Sequence, residues 1–168
     1  MQGKQTNSDI ALADGVAGLE GSETVSRSQL IALLNDDLAR EYQAIIAYVV
    51  YSQTLKGPEY MAIAQELVAH AREELDHAIL IAKQIDYLGG TPVVEPKAVN
   101  TSKDSRQMLR FDLDNENETV RNYRDRVRQS EVLGEYAVAE HIREILMQEQ
   151  EHQIDLITAL GREPVDVA

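Results

Sequence analysis

The chain has no cysteine, no tryptophan, a single phenylalanine and only 16 basic residues against 29 acidic ones in 168. Without thiols it cannot form disulfides, thiolate metal sites or iron–sulfur clusters, so any metal must be held by oxygen and imidazole donors. That favours iron, manganese or zinc. The formal charge of −13 argues against a nucleic-acid partner and for attracting cations, divalent metals above all. No apolar run approaches the roughly 18 residues of a membrane span, and no basic stretch followed by an apolar one opens the chain. A cytoplasmic protein with no membrane partner is expected, with the length of one domain and enough residues for a real core.

Residues 1–25 mix small and polar residues and read as a flexible N-terminal arm, in which Lys4 is the only cation. Ser26 and Gln29 form a capping-box pattern, and a helical period then runs to about Leu55, before Lys56-Gly57-Pro58 breaks it. A second helix is expected from Pro58 to Leu88, stopped by Gly89-Gly90. Residues 89–104 carry two prolines and two glycines and form a connector. Sixteen extended residues span roughly 53 Å, and a helix of about 30 residues is roughly 45 Å long. The connector can therefore run the length of a bundle. A third helix is expected from Ser105 to about Gln129 and a fourth from about Val132 to Leu160, ending at Gly161. The bundle thus occupies 26–161 and a short tail 162–168. The class is all-α, a four-helix bundle with one long crossover between the second and third helices.

The strongest pattern is a duplication. Glu41 precedes the Glu74-Leu75-Asp76-His77 run by 33 residues, and Glu116 precedes Glu149-Gln150-Glu151-His152 by the same 33. A Glu from each of two helices plus Glu-x-x-His from the other two is the ligand set of a carboxylate-bridged dinuclear iron or manganese site. The repeat continues in Asp37 and Asp112, four residues before the lone Glu, and in Tyr48 and Tyr123, seven after it.

All six candidate ligands fall on apolar stripes. These read Leu30, Leu34, Glu41, Ile45, Tyr48; then Ile63, Leu67, His70, Glu74, His77, Ile81; then Leu109, Leu113, Glu116, Val120, Tyr123; and last Ile145, Glu149, His152, Leu156. Any one of these glutamates could be a solvent-facing residue of an acidic helix. Six at matched spacing on core-facing stripes are not explained that way. Four buried carboxylates would repel one another until several took up protons, whereas two divalent cations cancel their charge.

The neighbours read less sharply. His70 and His141 share the stripes and are taken as buried structural histidines outside the site. Asp37 and Asp112 are candidates to accept a hydrogen bond from the non-ligating nitrogen of His152 or His77, or else are half-exposed helix-start residues. Tyr48 and Tyr123 are candidates to hydrogen-bond the ligand carboxylates, to supply an electron, or simply to pack. Arg121, Arg124, Arg126 and Arg128, with Asp125 among them, suggest a salt-bridged subunit interface.

Over residues 28–160 the motifs resemble the bacterioferritin branch of the ferritin-like superfamily, most closely in MLRFDLDNENE (108–118) and EILMQEQEHQIDL (144–156). The resemblance implies that Glu41 and Glu116 are terminal ligands, that Glu74 and Glu149 bridge two metals, and that His77 and His152 take one metal each. It implies a ferroxidase and iron-storage protein with two iron ions per subunit, manganese or zinc being substitutes, acting on Fe(II) with O2 or H2O2 in a homo-oligomeric shell. Haem is not expected, because Leu75 stands where bacterioferritins place a haem-binding Met. A Gly161 and a Pro164 interrupt the last 16 residues after His152, so a short fifth helix is not expected. Twelve subunits are favoured over 24, as in Dps-like mini-ferritins with a bacterioferritin-type site. Two rivals stand beside this reading: a rubrerythrin-like peroxidase or manganese catalase that stores no mineral, and a non-enzymatic bundle that sequesters metal.

Overall fold

The computed structural model describes residues 25–163. The expected N-terminal arm and the end of the C-terminal tail fall outside them. Four helices account for most of the described chain: α1 (Arg27–Thr54), α2 (Met61–Tyr87), α3 (Ser105–Val132) and α4 (Tyr136–Ala159). The capping box forms as its sequence predicts, Gln29 N donating to Ser26 Oγ at 3.3 Å while Ser26 N donates to Gln29 Oε1 at 2.7 Å. Asp104 starts α3 in the same manner, its carboxylate accepting from the Arg106 and Gln107 amides.

Three boundaries differ from expectation. Pro58 opens a single 3₁₀ turn (Pro58–Tyr60), and α2 proper begins at Met61. Helix α3 continues to Val132 rather than ending near Gln129, because Arg126, Val127 and Ser130 still face the interior. The true break is Gly134, whose φ of 76° lies in the left-handed region that favours glycine. There Gly134 N donates to Glu131 O and Glu135 N to Ser130 O, both at 2.9 Å, closing the end of α3. The fourth helix consequently starts at Tyr136 and not near Val132.

The connector runs along α1 in the same direction as that helix. Thr91 O accepts from Asn35 Nδ2 at 3.1 Å, Lys97 N donates to Ala39 O at 3.0 Å, Ala98 O accepts from Gln43, and Asn100 O accepts from the Tyr51 hydroxyl. The acceptors and donors on α1 climb it in steps of a turn or two, so the loop's backbone groups are satisfied by one stripe of that helix. The crossover therefore delivers α3 to the far end of the bundle, antiparallel to α1.

Two apolar clusters fill the ends of the bundle. One gathers Leu30, Leu34, Leu38, Ile81, Ile85, Ile142 and Ile145, with others; the second gathers Tyr51, Ile63, Leu67, Leu109, Leu113 and Leu156, with others. Between them lies a belt of buried charge, which is where the site sits.

Candidate metal centre

Every candidate ligand comes from the middle of a long helix, so none is held by a loop. Glu41, Glu74, His77, Glu116, Glu149 and His152 are all at most 3% exposed. They form two overlapping groups whose ligand atoms lie within 4.8 Å of one another: Glu41, Glu74, His77 and Glu149, and Glu74, Glu116, Glu149 and His152. Glu74 and Glu149 belong to both. The structure thus brings all six together, with the two Glu-x-x-His glutamates central and the lone glutamates on opposite flanks.

The imidazoles point their Nδ1 atoms inward. His77 Nδ1 lies 3.0 Å from Glu149 Oε1 and 3.1 Å from Glu74 Oε2, and His152 Nδ1 lies 3.0 Å from Glu74 Oε1. Their outer nitrogens donate elsewhere, His77 Nε2 to Gln148 Oε1 and His152 Nε2 to Glu73 Oε2, each at 2.8 Å. These bonds orient the rings and leave Nδ1 for the centre. The expectation that Asp37 or Asp112 would fill that role is corrected. Gln148 and Glu73 each immediately precede the glutamate of a Glu-x-x-His motif, and each serves the histidine of the opposite half. That shared position was the sequence signal for them.

Asp37 instead accepts from Arg126, Nε to Oδ2 at 2.6 Å and Nη2 to Oδ1 at 3.2 Å. Arg126 is itself buried, which removes it from the surface arginine cluster. Of that cluster, Arg128 remains outside and pairs with Asp125. His141 is also corrected: it is partly exposed beside Glu144 and does not enter the core. His70 is buried, as expected.

The two tyrosines face the flanking glutamates across the bundle, Tyr48 donating to Glu116 and Tyr123 to Glu41. Burial pushes both phenols well above their ordinary range, helped by the charges of Glu116 and Glu41 respectively. They remain protonated donors. Burial likewise raises Glu41 and Glu116, reinforced by the neighbouring carboxylates of Glu74 and Glu149. For Glu74, burial is outweighed by hydrogen bonds from His152 and His77, and the carboxyl is held below its usual range. Glu149 is lowered too, burial and the charge of Glu74 being outweighed by the same two histidines. The histidines show the reciprocal effect: against the cost of burial, Glu149 and its fellow carboxylates push His77 far up, and Glu149 and Glu74 push His152 up to about 12. Without metal these directions favour protons on Glu41, Glu116 and both imidazoles and negative charge on Glu74 and Glu149.

The donor set fits a pair of metal ions. Glu41 Oε2 and Glu116 Oε2 are buried without a hydrogen-bond partner, while Glu74 Oε1, Glu149 Oε1 and His152 Nδ1 meet only other members of the cluster. Two orphaned carboxylate oxygens flanking four crowded carboxyl groups are costly unless something binds them. Oxygen and imidazole donors suit iron, manganese or zinc. A narrow cleft leads toward the centre, lined by Arg40, Gln43, Asn115 and Thr119 together with Glu41 and Glu116, among others.

A bundle of this topology with this ligand set has the architecture of the di-iron carboxylate proteins. The chain belongs to the ferritin-like family, the Ferritin-like domain matching residues 31–163, and its likenesses are of the bacterioferritin type. Bacterioferritin from Desulfovibrio desulfuricans is 26% identical over 135 residues, covering 80% of this chain and 75% of that protein. A ferritin-like diiron-carboxylate protein of Bacillus anthracis superposes with a TM-score of 0.76 at 31% identity, over 80% of this chain and 96% of that one. The bacterioferritin-related dodecameric thioferritin of Bacteroides fragilis gives 0.75 at 28% identity, over 82% and 88% respectively. No helix among the described residues is long and apolar enough to cross a membrane.

Proposed function

We propose that this protein is a ferroxidase that binds two Fe(II) ions per subunit as substrate, oxidises them with O2 or H2O2, and stores the Fe(III) inside an oligomeric shell in the cytoplasm. The observation that carries the reading is the pair of overlapping four-residue groups sharing Glu74 and Glu149, a geometry suited to two cations side by side. Glu41 and His77 serve one cation, Glu116 and His152 the other, and the shared glutamates serve both. Two Fe(II) together supply two electrons, which reduce one O2 to H2O2 or one H2O2 to two waters, with two protons consumed in either case.

The chain's own contribution is positioning, charge compensation and proton supply. Four carboxylates balance two divalent ions, and binding those ions displaces protons from Glu41, Glu116, His77 and His152. Tyr48 and Tyr123 hold the flanking glutamates through their hydroxyls, while the apolar clusters above and below keep bulk water out. A twelve-subunit shell is supported by the dodecameric relative of Bacteroides fragilis.

Stepwise Fe(II) addition followed by stopped flow, with O2 and then H2O2, tests the reading. The fast phase should saturate near two irons per subunit, and further iron should stay with the soluble particle. Fast turnover without retained iron would identify a peroxidase or catalase, and no fast phase would leave only a metal-binding bundle.

A further inference from the structure

The narrow cleft between α1 and α3 is built from matched positions of the two halves. Arg40 and Asn115 each immediately precede the lone glutamate, and Gln43 and Glu118 each follow it by two residues. Matched positions have not received matched residues. Across the mouth Arg40 Nη2 on α1 donates to the Glu118 carboxylate on α3, whereas Gln43, the counterpart of Glu118, turns its amide away to Ala98 O of the connector. One side of the mouth is therefore closed by an ion pair.

The pair lies at the outer end of the cleft. Side-chain exposure falls from 45% at Glu118 to 16% at Arg40, and the glutamates of the centre are at most 3% exposed. The space left inside is about 10 Å³, the least that one water molecule needs, so a hydrated divalent cation passes only if side chains move. Arg40 is placed to move. Its Nε is buried without a hydrogen-bond partner and lies 3.6 Å from Asp36 Oδ2, one turn back on its own helix. A second carboxylate is thus within reach of the guanidinium when it leaves Glu118. Lys97 also pairs with Asp36, so two acidic and two basic groups balance at the mouth, and the guanidinium opposes the approach of a cation to the acidic centre behind it.

We propose that Arg40 is the gate residue of the cleft, a tethered cation on Glu118 that an incoming divalent ion must displace. The ion takes the Glu118 carboxylate, Arg40 swings to Asp36, and the way opens between α1 and α3 toward Glu41 and Glu116. A doubly charged ion competes with the guanidinium for a carboxylate better than a singly charged one. The exchange therefore selects for charge before the donors of the centre select for chemistry. The gate rests on the dinuclear reading of the centre, since it controls entry to that site.

The test is stopped-flow binding of Co(II), a divalent probe whose visible absorption reports oxygen and nitrogen ligation, to the metal-free full-length protein at low and high salt. Arg40→Gln removes the tethered charge and should speed loading about tenfold at low salt, the gain shrinking as salt rises, while the number of ions finally bound stays that of the wild type. Arg40→Lys keeps a charge at the mouth and should restore most of the delay. Glu118→Gln leaves the guanidinium charged with no carboxylate to receive the ion, and should load more slowly than wild type. A merely structural ion pair would shift the urea midpoint of Arg40→Gln and leave its loading rate alone; that outcome overturns the gate while the dinuclear centre stands. Slower loading or fewer bound ions in Arg40→Gln would make Arg40 a support of the ligands and overturn the gate as well. Failure of the wild type to bind Co(II) at all would sink the dinuclear reading and the gate together.

Discussion

Arg126 grips the carboxylate of Asp37 with two nitrogens, at 2.6 and 3.2 Å, in the interior of the bundle. The matching carboxylate of the other half, Asp112, has no such partner. Arg126 lies ten residues after Glu116, and the residue ten after Glu41 is Tyr51, which donates to the connector at Asn100. Asp112 therefore keeps an unpartnered Oδ2, and burial, with the charge of Glu74, pushes its carboxyl well up. One half of the duplicated fold holds an ion pair where burial in the other favours a proton.

The two aspartates should accordingly respond differently to the same change. Asp37→Asn leaves Arg126 as a buried, uncompensated charge and should cost about 3–5 kcal/mol. Asp112→Asn replaces a neutral acid by a neutral amide of similar shape and should cost no more than about 1 kcal/mol. Urea unfolding of the metal-free variants measures both. Equal losses would show that Asp112 is ionised or paired in the native protein.

Stability of the metal-free protein should fall as pH rises from about 4.5 to 8. Asp37 is raised by burial, against the pull of Arg126, from 3.8 to about 6. Its contribution is thus fully present below 3.8 and lost as pH climbs through 6. Glu41, Asp112 and Glu116 are raised as well and act in the same sense. His77 and His152 are raised above 6.5 and lose their contribution only above that value. Glu74 and Glu149, which are lowered, oppose this only in acid. Thermal melts across pH check the slope; a maximum above pH 7 without metal would contradict the protonation pattern.

Loading the centre should reverse that slope. Two divalent ions displace protons from two imidazolium groups and two carboxylic acids, so about four protons should be released per pair bound. Metal affinity should then rise steeply with pH. Calorimetry in buffers of differing ionisation enthalpy counts the protons, and a count near zero would mean the ligands are already deprotonated.

Tyr48→Phe and Tyr123→Phe each delete a hydroxyl that donates to a buried glutamate. Each should destabilise the protein by about 1–3 kcal/mol and loosen the metal on its own flank, Glu116 and His152 for the first, Glu41 and His77 for the second. Stepwise metal titration should therefore show two unequal sites in each variant. Identical titrations for wild type and both variants would reduce the tyrosines to packing.

Gly90→Ala should be disruptive although its φ is ordinary. A Cβ there would sit 2.5 Å from Ile31 Cγ2 and 3.0 Å from Ile85 Cγ2, so the connector would have to lift off α1 at its first residues. A loss of about 1–3 kcal/mol is expected. Gly134→Ala meets no atom within 4 Å and should cost only the backbone strain of a left-handed alanine, about 1 kcal/mol.

Much of this was legible in the sequence because helices impose a short period on burial. Glu41, Glu74, His77, Glu116, Glu149 and His152 fall on apolar stripes, and a stripe names the face that turns inward whatever the neighbouring helices do. The capping box at Ser26 and the crossover length of 89–104 were equally local matters. The end of α3 was less so: Ser130 and Glu131 look like loop residues, and only burial of the face that includes Arg126, Val127 and Ser130 carries the helix on to Gly134.

Which polar groups meet across the bundle was decided by the tertiary structure alone. The sequence determined four helices, one long crossover and a duplicated set of six inward-facing glutamates and histidines, since those follow from spacing along the chain. It did not say that His77 would turn its outer nitrogen to Gln148, that Arg126 would leave a surface-looking cluster to meet Asp37, or that His141 would stay at the surface. Spacing fixes the angle of a side chain about its own helix; its partner depends on how far each helix slides and rotates against the next, and packing sets that only when the whole core closes.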